Sequence, residues 1–137
     1  MIFRQLFDKN SSTYTYLIAS EKGREALIID PVLENIDIYI KNLNELDLKL
    51  VKVIDTHIHA DHITGASQLN KKTNCCTIMG EHTPAESVQI KVKEDEIIKL
   101  DGLKIKTIYT PGHTSDSYSF LMNNLIFSGD TLLINGT

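Results

Sequence analysis

The run LVKVIDTHIHADHITG, residues 50–65, takes an apolar strand directly into three histidines and an aspartate. Crowding His57, His59, Asp61 and His62 into six residues calls for a rigid support, and in layered α/β structures the rim beyond strand C-termini supplies one. An extended His-x-His places both imidazoles on one side of the backbone, because strand side chains alternate with period two. The segment then turns, so Asp61 and His62 approach from another direction and two metal half-sites result. Imidazole and carboxylate donors suit zinc, iron and manganese. Solvated loop histidines are the plainer alternative, but such a loop has no need of three imidazoles and an acid together.

The rest of the chain reads as strands with two helices. IFRQLF (2–7), TYTYLIAS (13–20) and EALIID (25–30) form a meander, with Glu21-Lys22-Gly23 as a tight connection. Leu33, Ile36, Ile40, Leu43 and Leu46 recur at helical spacing after Pro31. Thr64 caps a short helix, GASQLNKK, ahead of the strand CCTIMG. Residues 81–96 read as a polar loop interrupted by Pro84. Two hairpins close the chain: EIIKL and LKIKTIYT around Asp101-Gly102, then SYSFLM and LIFSGD around Asn123-Asn124. No repeat or linker divides the 137 residues, so they read as one domain.

A net charge of −4 with scattered basic residues offers no footprint for nucleic acid, and no segment has the length of a membrane span. The N-terminal stretch lacks the pattern of an export signal, so a cytoplasmic protein with a small-molecule partner is expected. Cys75 and Cys76 lie in a strand-like run and read as one buried and one exposed small residue, rather than as a redox pair or soft metal ligands. His82 reads as a surface-loop histidine. Two further stretches look like completions of the site. In TPGHTSDS, Pro111 and Gly112 bend the chain so that His113 can point inward, and in FSGD, Gly129 allows close approach beside Asp130. Both follow strands, as the histidine cluster does. Thr56 and Thr114 either brace their loops by hydroxyl bonds to backbone or take a place in the pocket, with neither role favoured.

In their order, THIHADH, TPGHT and FSGDTLL resemble the metal motifs of the metallo-β-lactamase superfamily. Within it, THIHADHITG and SGDTLLING are most similar to the persulfide dioxygenases. Glyoxalase II relatives share the histidine core but tend to follow it with a Gly-Gly pair where this chain has Ile63-Thr64-Gly65. The resemblance runs along the whole chain. It implies an α/β fold, the αββα sandwich of the superfamily, of which this chain corresponds to the first half. It also implies that His57, His113 and Asp130 bind one Fe(II) per chain and form the catalytic centre, a two-histidine, one-carboxylate face with open positions. His59, Asp61 and His62 then act around that iron, or hold a second metal.

The reaction implied is oxidation of glutathione persulfide by O2 to sulfite and glutathione. The runner-up is a glyoxalase II-like thiolester hydrolase with two zinc or manganese ions. There His57, His59 and His113 hold one metal, Asp61 and His62 help hold the other, and Asp130 bridges. Family members continue past the point matching Thr137, and the groups that hold glutathione in them lie mostly there. Iron binding is therefore expected of this segment, while turnover is expected to need more. A half-sandwich is also expected to leave an apolar sheet face bare, to be covered by a second copy or a complementing chain. On a third reading the chain is non-catalytic and folds only with such a partner.

Overall fold

The computed structural model describes residues 1–58, 64–85, 88–111, 115–123 and 125–128, and the backbone of 131–134. Six strands form the first sheet in sequence order: β1 (Ile2–Asp8), β2 (Thr13–Ala19), β3 (Glu25–Ile29), β4 (Lys49–Ile54), β5 (Cys76–Gly80) and β6 (Ile90–Val92). Its first three strands are antiparallel and the remainder parallel. Parallel neighbours need crossovers. A single 3-10 turn (Leu33–Asn35) followed by α1 (Ile36–Glu45) links β3 to β4, and α2 (Ala66–Thr73) links β4 to β5. The second sheet is antiparallel throughout. It runs in the order β11 (Thr131–Ile134), β10 (Leu125–Ser128), β9 (Tyr118–Met122), β8 (Leu103–Tyr109), β7 (Ile97–Leu100).

The period-two alternation of β2 and β3 builds the layers. Leu17, Ala19, Ala26 and Ile28 face α1 and α2, meeting Ile36, Tyr39, Leu43 and Leu69. Tyr16, Ile18, Leu27 and Ile29 face the other way and meet Ile98, Ile105, Phe120 and Phe127 of the second sheet. Burying each of these large side chains contributes about 1.5–3 kcal/mol. These strands read as continuous apolar runs because both of their faces are covered.

The expected bare sheet face is corrected by this arrangement. The chain is α/β, as expected, and the second sheet is already present and covers the first. The described layers are therefore helices, sheet, sheet, with both helices on the first sheet. Residues 81–96, expected as a polar loop, contain β6, a three-residue strand held by β5 through Ile78 opposite Ile90. The Asp101-Gly102 hairpin forms as expected, with Leu100 opposite Leu103 and Gly102 at φ +81, where a residue with a Cβ is strained. Arg24 holds the Asp101 carboxylate at 3.1 Å. Cys75 lies in the core beneath the helices, and Cys76 is partly buried against the core between the sheets. Burial raises both thiol pKa values, which disfavours the reactive thiolate. No helix among the described residues is long and apolar enough to cross a membrane.

Candidate metal centre

β4 ends at Ile54, and the residues after it are held from both sides. Asp30 follows β3 directly, with its N–H donating to Ile54 O at 2.8 Å and its backbone at φ +55, a conformation Asp tolerates better than most residues. This turns its fully buried carboxylate toward the end of β4. Oδ1 accepts the Thr56 N–H at 2.7 Å, and Oδ2 accepts the Thr56 hydroxyl at 2.8 Å. Thr56 Oγ1 in turn lies 2.9 Å from His57 Nδ1.

These contacts assign the His57 tautomer. A carboxylate only accepts, so the single Thr56 hydroxyl proton goes to Asp30. Oγ1 is then the acceptor facing His57, and Nδ1 carries the ring proton. In a neutral imidazole Nε2 is left unprotonated, which is the form a metal ligand requires, so His57 fits a metal ion. Of the two roles open to Thr56, a bond to backbone and a place in the pocket, its hydroxyl does not take the first: it joins a carboxylate to an imidazole.

The far end of the histidine segment is anchored as firmly. Gly65 N donates to Pro31 O at 2.9 Å, and Thr64 pairs with Val32 in an antiparallel bridge. The Thr64 hydroxyl points at both oxygens of the buried Asp55, at 2.9 and 2.8 Å, and accepts the Ala66 N–H at 3.2 Å. Thr64 thus acts as the expected cap, one residue ahead of the geometric N-cap Gly65.

The second sheet reaches the same rim. Tyr118 N donates to Thr56 O at 2.9 Å, and Ile58 N donates to Asp116 Oδ2 at 2.8 Å. Tyr109 pairs with Tyr118, and Phe127 with Phe120, so the C-terminal ends of β8 and β10 flank the start of β9. The ends of β4, β8 and β10 therefore gather at one edge of the sandwich. Of the site residues named from sequence, His57 is described and half-buried. His59, Asp61, His62, His113, Thr114 and Asp130 lie outside the described residues.

Asp30, Asp55 and Asp116 escaped the reading of the sequence. Each is an isolated acid whose partner is distant or local only after folding, and the one available signal was an acid placed directly at the end of an apolar strand in VIDT and IIDP. His82 is exposed as expected, and its ring also stacks on Tyr109, with centroids 4.2 Å apart, in a cluster with Tyr118. A cavity of 530 Å³ opens between α2, β5 and the residues Ala85, Val88 and Gln89 and reaches His57 and Ile58, with no lysine or arginine in its described lining.

Residues 9–137 match the family described as the metallo-beta-lactamase superfamily. The mouse protein "Persulfide dioxygenase ETHE1, mitochondrial" is 36% identical over 138 residues, covering 99% of this chain and 54% of the mouse protein. A Dictyostelium discoideum hydroxyacylglutathione hydrolase is 32% identical over 135 residues, covering 93% of this chain and 50% of that protein. The crystal structure of ETHE1 from Myxococcus xanthus superposes with a TM-score of 0.91 at 45% identity, over 99% of this chain and 61% of that one. The chain spans about half the length of the curated relatives it matches. The three strand ends that meet at one rim, the histidine segment held there and the match over residues 9–137 agree: the chain belongs to the metallo-β-lactamase superfamily.

Proposed function

We propose that this chain forms the iron-holding part of a persulfide dioxygenase. The observation that carries the reading is the likeness to Myxococcus xanthus ETHE1, at 45% identity over nearly the whole chain. His57, His113 and Asp130 would hold Fe(II), one per chain. When bound, iron supplies the redox chemistry that joins dioxygen to sulfur, which zinc does not.

The protein's own part begins with Asp30, which fixes the Thr56 hydroxyl, and Thr56, which fixes the proton on His57 Nδ1. The ligand nitrogen is thereby oriented before any metal arrives. Overall, glutathione persulfide, O2 and water give glutathione, sulfite and two protons; the terminal sulfur loses five electrons, of which one goes to the inner sulfur as the S–S bond breaks and four go to dioxygen. The described cavity lining offers no lysine or arginine to the glutathione carboxylates. Dioxygen uptake on adding glutathione persulfide, without cleavage of a glutathione thiolester, is the expected result. Thiolester cleavage without uptake would replace this reading with the hydrolase.

The Dictyostelium likeness favours that second reading, a two-metal thiolester hydrolase. His62 separates the two. On the one-iron reading His62→Ala keeps most of its metal by elemental analysis, whereas loss of metal in that variant would favour the two-metal centre.

A further inference from the structure

We propose that Asp116 is a positioning residue of the candidate metal centre, its side chain standing in for a β-ladder carbonyl beside His57. The functional part of this inference rests on the metal-centre reading above. Tyr118 N donates to Thr56 O. In an antiparallel ladder, a bond between 118 and 56 places the N–H of residue 58 opposite the carbonyl of residue 116. Tyr118 N to Thr56 O is the one backbone bond between these two segments among the described residues, and residues 115 and 116 form a turn, so the main chain does not continue the pattern. The Asp116 carboxylate takes the vacated place, with Oδ2 accepting the Ile58 N–H at 2.8 Å.

The geometry is not that of a surface contact. Ile58 is 41% exposed, whereas Asp116, which takes its N–H, is only 5% exposed. A carboxylate accepting a backbone N–H makes a charge-assisted bond about twice as strong as a neutral one. Thr56 and Ile58, the residues on either side of His57, are thus both bound to the segment 116–118, while Asp30 holds Thr56 from the first sheet. Asp116 lies three residues after His113 in sequence, and its turn is braced by the Tyr109 hydroxyl donating to Ser115 O at 2.7 Å. One carboxylate therefore joins two described segments that each adjoin a candidate ligand in sequence.

The experiment compares Asp116→Ala with Asp116→Asn in the metal-free chain and with added zinc. Hydrogen exchange at the Ile58 amide reports the bond directly, and competition with a chromophoric chelator reports zinc affinity. Asp116→Ala is expected to accelerate Ile58 exchange at least tenfold and to weaken zinc binding 10- to 100-fold, the usual effect of removing a group that orients a ligand. Asparagine retains a carbonyl oxygen, so Asp116→Asn is expected to restore both to within about threefold. Unchanged Ile58 exchange in the alanine variant would overturn the proposal, as would an asparagine variant that loses exchange protection or zinc as the alanine variant does. If alanine prevents folding, the asparagine variant alone decides. The exchange measurement needs no metal, so failure of the metal-centre reading is seen separately, as absent zinc binding in the unaltered chain.

Discussion

Gly80→Ala is expected to destabilise the protein by about 3 kcal/mol or more, at the upper end of overpacking costs. An added Cβ would lie 1.8 Å from Tyr118 Cδ1 and 2.0 Å from its Cε1. The ring has nowhere to go: Tyr118 is 1% exposed, belongs to the core between the sheets, and is tied to Thr56 by its own N–H. Relief would require displacing the rim that holds His57. The cause can be isolated with a double variant, because truncating Tyr118 removes the clash. In denaturant unfolding, Gly80→Ala should cost much less in a Tyr118→Ala background, with a coupling of more than about 1 kcal/mol. Additive costs would show that the close approach is not what makes glycine necessary.

Changing Asp30 should separate stability from metal binding. Asp30→Ala strands the Thr56 N–H and hydroxyl, both buried, at about 1–3 kcal/mol for each unsatisfied group. The site cannot relax easily, since Thr15 Oγ1 donates to Asp30 O at 2.7 Å and the Tyr39 hydroxyl accepts the Val32 N–H at 2.9 Å. Asp30→Asn is more telling. Its oxygen can keep the Thr56 N–H, but its amide then donates to Thr56 Oγ1, whose proton must turn to His57 Nδ1. That transfers the imidazole proton to Nε2 and blocks the ligand position. The asparagine variant is expected to unfold within about 1–2 kcal/mol of the unaltered protein while binding zinc 10- to 100-fold more weakly. Imidazole nitrogen shifts of His57 in the metal-free chain should show the exchanged tautomer. Unaltered shifts and zinc affinity would contradict the role given to Thr56.

What could be read from the sequence was local. The turn at Asp101-Gly102 was visible because its chemistry is confined to two residues, and α1 because its apolar spacing repeats within ten. β6 was not, because Ile90–Val92 is a strand through its pairing with β5 rather than through its own pattern. A bare face was expected because the resemblance made the chain half of a sandwich, and the pattern of β2 and β3 does not say that the cover on one face comes from β7–β10 of the same chain. The site divides in the same way. The histidine cluster stood out in one window, whereas Asp30 and Asp116 act on partners 26 and 58 residues away. No spacing rule links residues that meet only when β3 pairs with β4, as for Asp30, or when the two sheets close on each other, as for Asp116.

The most direct test of the central claim is the metal content of the anaerobically purified chain by elemental analysis. About one iron per chain is expected, held by two imidazoles and one carboxylate. About two zinc or manganese ions per chain would contradict it, because a bridged pair is the arrangement of a hydrolase.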